Sequence, residues 1–208
     1  MSKSLFAVTP SRGRPTLSDK EIADMRKHIT DCALRLFQDS GYEAVSMRRL
    51  AVEADCTAMT IYRYFDRKID ILRALWAKVF DELFNELDQI AAREDDAANR
   101  LNAVAFAYVN FWLTHRENYF LVFMSSGISQ TDVSIFVGDE PTVNRFRVLR
   151  ESLASALVPK ISDADIELKA QLLLCALNGI SQNLITISAY PWSKPDDLVR
   201  AAVKAILH

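Results

Sequence analysis

The stretch Thr57-Ala58-Met59-Thr60-Ile61-Tyr62-Arg63-Tyr64-Phe65 brings hydroxyl, phenol and guanidinium groups together on a short, helix-forming segment. Such groups suit hydrogen bonding to phosphate oxygens and base edges, which is recognition of DNA rather than the making or breaking of bonds. A helix enters the major groove only if its outward face lacks bulky apolar side chains and its first residues can reach base edges. Here Thr57, Ala58, Thr60 and Arg63 fall on outward faces, while Ile61 and Phe65 point back to a core. Base reading is therefore assigned to Ala58, Met59, Thr60 and Arg63, with Arg63 able to reach a guanine. Backbone positioning is assigned to Ser46, Arg49, Tyr62, Tyr64 and Lys68. Short helices bearing tyrosines and arginines are also ordinary surface helices, and periodicity alone does not separate the two readings.

Helical elements must hold this segment in place. From Ser18 to Gly41, Ile22, Met25, Ile29, Ala33, Leu36 and Phe37 recur at helical spacing, with Ser18 as start signal and Gly41 as stop. Ser46 caps a short helix from Met47 to Ala54, Asp55-Cys56 makes the turn, and Thr57 caps the next helix. That order is the sequence form of a helix-turn-helix. Asp66 is placed to cap a long helix beginning near Arg67, whose stripe Ile71, Leu72, Leu75, Val79, Leu83 and Leu87 leads out of the head.

Beyond the head, a polar break is expected from Ala91 to Arg100, then an apolar helix from Leu101 to His115 and an aromatic-rich one from Tyr119 to Met124. Ser125 to Asp139 reads as a loop. Further helices are expected from Pro141 to Leu157, from the Ser162 cap to Ala189, and from Pro195 to His208. The fold class is all-α: an N-terminal three-helix head and a larger helical body. Residues 1–17 form a flexible basic arm, 18–66 the head, and 67–208 the effector-binding and dimerisation domain.

Composition agrees with that division. The 208 residues are half apolar, with five glycines and six prolines, enough for a sizeable core and too few breakers for a loop-rich fold. Net charge is −2, which argues against wholesale nucleic-acid binding. Yet residues 1–70 hold 12 Lys/Arg against 10 Asp/Glu, and the remainder 13 against 17, so the head is basic and the body acidic. No apolar run approaches the roughly 18 to 20 residues of a membrane span, and Leu5-Phe6-Ala7-Val8 is too short for a signal-peptide core. A cytoplasmic protein without membrane contact is expected. Cys32, Cys56 and Cys175 are odd in number and far apart, which suits small core residues better than disulfides or metal ligands.

Cys32-Ala33-Leu34-Arg35-Leu36-Phe37, then Ser40 to Ala51, then Thr60-Ile61-Tyr62-Arg63-Tyr64-Phe65 and Lys68 closely resemble the N-terminal signature of TetR-family transcriptional regulators. The resemblance implies an all-helical homodimer, each subunit carrying a helix-turn-helix head and a ligand-binding body. It implies a repressor released from a double-stranded DNA operator by a small-molecule effector, and backbone contacts from Thr57, Tyr62, Tyr64 and Lys68. It further implies that the last two long helices pack against their copies in a second subunit. The chain departs from the pattern at Asp55, where the family usually has glycine, and at Ala58-Met59, where lysine and glycine are frequent. Asp tolerates a left-handed turn at modest cost, but operator sequence and backbone affinity are left open. Arg12 and Arg14, in Arg12-Gly13-Arg14-Pro15, suit insertion into a narrow minor groove, against the alternative of a solubilising tail.

In the body, polar groups set among apolar ones suggest an effector pocket: Tyr108, His115, Asn178, Ser181 and Gln182, with Phe111, Trp112 and Phe123 as aromatic walls. Ordinary core accounts for any one of these aromatics. Gly179 inside a helix hints at close helix approach or room for a ligand. Leu172, Leu173, Leu177, Ile180, Leu184 and Ile187 spread apolar surface over more than one face, as a subunit interface or a centrally buried helix would require. Catalysis finds no support: His28, His115 and His208 keep no metal-ligand or triad spacing with Cys, Asp or Glu, and no glycine-rich phosphate loop is present. No cofactor is implied. The competing reading is a helical ligand-binding or protein-interaction module that no longer binds DNA.

Overall fold

A computed structural model describes residues 18–41, 45–124 and 140–208 of the chain. The basic arm, the segment Tyr42-Glu43-Ala44 and the Ser125–Asp139 stretch lie outside the described residues. The described residues are built from helices: α1 (Asp19–Ser40), α2 (Met47–Glu53), α3 (Ala58–Tyr64), α4 (Lys68–Arg93), α5 (Ala97–Thr114), α6 (Arg116–Phe123), α7 (Glu140–Arg145), α8 (Arg147–Ala156), α9 (Asp163–Thr186) and α10 (Pro195–Leu207). The all-α expectation holds.

Each head helix starts where a side chain satisfies its free N–H groups. Ser18 accepts from Glu21 N while the Glu21 carboxylate returns a bond to Ser18 N at 2.8 Å, a capping box that also holds the Glu21 carboxyl below the usual range. Ser46 and Thr57 accept from Arg49 N and Thr60 N at 3.2 and 3.1 Å. The long helix departs from expectation. Its cap residue is Arg67, whose N–H is received by Asp70 at 3.0 Å, so Asp70 rather than Asp66 closes this end.

Ile29, Cys32, Ala33, Leu50, Ala51, Ile61 and Phe65 are buried between α1, α2 and α3. Ile71, Leu72 and Leu75 of α4 are buried as well and continue the same hydrophobic cluster into the body. There α5 lies at the centre, packed against α4, α8, α9 and α10. The Trp76 indole donates to the Leu121 carbonyl at 3.1 Å, fastening α6 onto α4.

Several boundaries are corrected. The polar break is confined to Glu94–Asp96, because Arg100 ties the Glu94 and Asp95 carbonyls at 2.9 and 3.2 Å and Asp96 caps α5. The aromatic helix begins at Arg116, with His115 ending α5 and opening α6. The expected Pro141–Leu157 helix is two helices. Its step at Phe146 is tightened by bonds to and from residues three away, and the Phe146 ring turns inward to lie 4.7 Å from Phe84. The long helix ends at Thr186 instead of Ala189, since the Ile187 carbonyl is taken by Tyr190 N and the Trp192 indole. Of the three cysteines, Cys32 is core, Cys56 is half-buried and Cys175 is exposed. A Cβ built on Gly179 would meet nothing within 4 Å among the described residues, so no neighbouring helix of the same subunit crowds that glycine.

Along α9, Leu173, Leu177, Ser181 and Ile185 face inward, while Leu168 and Leu172 are 66% and 56% exposed. With Cys175, these outward residues form a second apolar stripe that one subunit leaves uncovered. Among the described residues no helix is long and apolar enough to cross a membrane, and no group of three His, Cys, Asp or Glu side chains could hold a metal ion.

Candidate nucleic-acid interface

The turn before α3 is shaped by Asp55, which adopts φ +48°, the left-handed conformation that an aspartate enters at modest cost. That geometry lets Asp55 N reach Val52 O at 3.2 Å and Cys56 N reach Ala51 O at 2.9 Å, closing α2 before Thr57 begins α3. Below the turn, His28 Nε2 lies 3.3 Å from the Ala54 carbonyl and the Cys32 thiol 3.7 Å from that of Glu53. Burial, Cys32 and Asp55 together push the Cys56 thiol up from its ordinary value.

On α3, Ile61 and Phe65 are buried, and Met59, Tyr62 and Arg63 share the outward face at the spacing that aligns residues on one side of a helix. Ala58 and Tyr64 are half-buried and pack against the head core, so the outward surface is narrower than the sequence suggests. The Thr57 and Thr60 hydroxyls lie 2.9 Å apart within the cap. Ser46 is exposed at the start of α2, and the Arg49 guanidinium reaches back to the Ser40 hydroxyl at 3.0 Å. Lys68 is half-buried at the start of α4. One feature escaped the sequence reading: Val52, on α2, is 81% exposed and joins Met59 at 74% as a bare apolar side chain on the head. Its place just before the turn, after the inward Leu50 and Ala51, was the available signal.

The far end of α3 is held by α1. Arg26 donates to the Tyr64 carbonyl and sets its guanidinium 4.3 Å from the centroid of the Phe65 ring.

The expected pocket residues divide. Trp112 is the hub of an aromatic cluster, with Phe111, Phe123 and Tyr108 centroids at 5.2, 5.2 and 6.3 Å and the His115 ring tilted against Phe111 at 4.8 Å. The Tyr108 hydroxyl donates to Asn178 Oδ1 at 2.7 Å, joining α5 to α9. Burial raises the Tyr108 phenol well above its ordinary value, against the opposing effects of Trp112 and Asn178, so it remains a donor at neutral pH. Burial also raises Tyr119. Ser181 is fully buried but donates to Leu177 O of its own helix at 2.9 Å. Gln182 is exposed and takes no part in this cluster, because α9 turns it outward from Ser181. A cavity of about 250 Å³ lies elsewhere, between α7, α8 and α9, lined by residues including Phe146, Arg147, Leu149, Ala170 and Leu174. None of the expected pocket residues lines it.

Residues 29–75 match the model of bacterial regulatory proteins of the tetR family. The chain is 37% identical over 82 residues to the HTH-type transcriptional repressor KstR of Rhodococcus jostii, covering 39% of either chain. Over this match it thus spans well under half the relative's length. It is 27% identical over 188 residues to the HTH-type transcriptional repressor ComR of Escherichia coli, covering 86% of this chain and 85% of that one. In fold it is similar to the transcriptional regulator FadR of Bacillus subtilis, solved in complex with stearoyl-CoA, with TM-score 0.69 and 15% identity over 87% of this chain and 97% of that chain. The likeness to the tetR family of bacterial regulatory proteins thus rests on residues 29–75, which hold α2, the turn and α3, and the likeness in fold extends through the helical body.

Proposed function

We propose that the protein is a ligand-responsive DNA-binding repressor that acts in the cytoplasm as a homodimer and leaves a near-palindromic operator when a small molecule binds. The observation that carries this reading is the surface of α3. A helix capped at one end by Thr57 and held at the other by Arg26 exposes Met59, Tyr62 and Arg63 together, and a major-groove reader needs that outward set. In this reading residues 18–66 are the DNA-binding head and 67–208 the sensing and dimerising body, with the arm's Arg12 and Arg14 in the minor groove.

Arg63, Met59, Thr60 and Ala58 read bases. Ser46, Arg49, Thr57, Tyr62, Tyr64 and Lys68 position the backbone, and the bare methyls of Val52 and Met59 suit thymine methyl groups. The uncovered stripe Leu168, Leu172 and Cys175 on α9 meets its copy, and Gln182 belongs to that side. The effector then occupies the neighbourhood of Tyr108, Phe111, Trp112, His115, Phe123 and Asn178, where a hydroxyl–amide pair offers orientation inside apolar walls. The named repressors among the relatives, and the stearoyl-CoA held by the Bacillus neighbour, support a DNA-binding and ligand-responsive role.

A mobility shift across fragments of the source genome tests the reading. One or a few fragments should bind with steep salt dependence, because phosphate contacts release counterions. Arg63→Ala should cost about 1–3 kcal/mol on the bound fragment and relax its sequence preference, whereas Lys68→Ala should weaken all duplexes alike and flatten the salt slope. Failure to shift any fragment would favour a module that has lost DNA binding.

A further inference from the structure

Helix α1 touches the two elements whose relative position matters for reading DNA, and it does so within two turns. At Arg26 it grips the end of α3 through the Tyr64 carbonyl and the Phe65 ring. At Asp31 it meets α4, whose Lys78 ammonium donates to Asp31 Oδ1 at 2.8 Å. Thr30, buried between the two, donates its hydroxyl to the Arg26 carbonyl at 2.8 Å. Along α4, Lys78 stands two residues from Trp76 and two from Phe80, on another side of the helix. Trp76 is bonded to Leu121 of α6, and the Phe80 ring sits 6.2 Å from Trp112.

The path from the aromatic body to α3 therefore runs along α4 to Lys78, across to Asp31, and along α1 to Arg26. Apolar residues of α1 and α4 also share one buried cluster, but burial of apolar surface is non-directional, so it tolerates sliding and rotation. A charge-assisted hydrogen bond does not. Its carboxylate is 29% exposed and its ammonium 39%, so the pair is partly shielded from solvent and salt.

We propose that Asp31 and Lys78 are positioning residues that fix the angle of the head on the body, and so set the half-site separation the dimer accepts. This rests on the DNA-binding reading above. Neither side chain touches DNA in that reading; they act through α1 on α3. Lys27 shares the same carboxylate at 3.1 Å but belongs to α1 itself, so it cannot join head to body.

The test uses the full-length protein. A duplex is selected from a random-sequence pool by the unmodified chain, then remade with one base pair added or removed at its centre. Asp31→Asn and Lys78→Met should each weaken the selected duplex about five- to tenfold, a coupling of ordinary size for such links. The same variants should shrink the penalty for altered spacing and leave random-duplex binding unchanged. The charge exchange Asp31→Lys with Lys78→Asp should recover most of the loss, and Lys27→Ala should change neither quantity.

A DNA-free readout accompanies it. In chains with Cys56 and Cys175 replaced by serine and diluted with unlabelled chain, spin labels at Asp24→Cys and Glu86→Cys report head against body. The single variants should broaden that distance distribution, and the charge exchange should narrow it again. An unchanged width, an unchanged spacing penalty or no recovery on exchange overturns the proposal. Selection of no duplex by the unmodified chain with the widths behaving as expected would instead reject the DNA-binding reading and confine the link to head orientation.

Discussion

The head and the body bury their apolar residues in one continuous cluster, yet the polar groups that start the head helices and those that tie the body together work over different distances. In the head, the side chains that start helices bond within three residues of themselves, while Asp31 and Glu53 take partners on other helices. Ser18, Ser46, Thr57 and Asp70 each close a helix end nearby, leaving Met59, Tyr62 and Arg63 exposed on α3. In the body, polar groups reach across the fold: Tyr108 to Asn178, Trp76 to Leu121 and Arg145 to Asn85. A surface meant for an external partner needs its local structure satisfied from within, so that its outward groups stay available. A core that must keep one packing gains from directional long-range bonds, because apolar burial alone specifies it loosely.

The contrast can be broken most severely at Trp112. Its indole is wholly buried at the centre of the aromatic cluster, so Trp112→Ala should cost about 3–5 kcal/mol by cavity formation, read as a lower denaturant midpoint. Loss of under about 1 kcal/mol would mean that the cluster is not a packed core. Tyr108→Phe comes next. It keeps the ring and leaves Asn178 without its donor, at about 1–2 kcal/mol, and a thermal unfolding shift confined to this variant and absent in Tyr62→Phe would mark the body's dependence on cross-fold bonds.

In the head, Thr57→Ala removes the α3 cap and should cost about 1 kcal/mol, with faster amide exchange at Thr60. The smallest effect is expected at Asp55→Gly. Relief of the +48° φ competes with the greater chain entropy of glycine in the unfolded state. The net change should lie within about 0.5 kcal/mol, while under the proposed DNA-binding role removal of this carboxylate should tighten DNA binding at low salt.

Acid provides a further way to sharpen the comparison at the joint. The Lys78 hydrogen bond is the chief reason the Asp31 carboxyl stays below its ordinary value. A depressed folded-state value means stability that is fully present above the unfolded carboxylate pKa of about 4 and is lost as pH falls through the folded value. Acid titration of the unmodified chain against Asp31→Asn should show the stability difference shrinking only below about pH 4. A difference that persists unchanged to the acid end would assign it to packing rather than to charge.

Legibility from sequence follows the same division. The caps at Ser18, Ser46 and Thr57, the inward set Leu36, Leu50, Ile61 and Phe65, and the left-handed turn at Asp55 were all readable, because each depends on neighbours a few residues away. Asp66 was misjudged as a cap because Asp66 and Asp70 are equally good acceptors in composition, and only the backbone course selects one. The body was harder. Gln182 looked equivalent to Ser181, but one residue is a rotation of about 100° on a helix, enough to move a side chain from core to surface. The break at Phe146 was hidden because the apolar pattern runs through it while the ring turns inward.

The sequence by itself determined the all-helical class, the order of the head helices and the chemistry of α3, since periodicity, capping and turn formation are local. Only the tertiary structure decided that Lys78 meets Asp31, that Arg26 holds the end of α3, that Tyr108 bonds Asn178 and that Leu168, Leu172 and Cys175 stand uncovered. Those outcomes depend on the rotation and depth at which helices distant in sequence pack together. No spacing along a single helix encodes that, because the partner face is set by the combined shape of all the side chains between them.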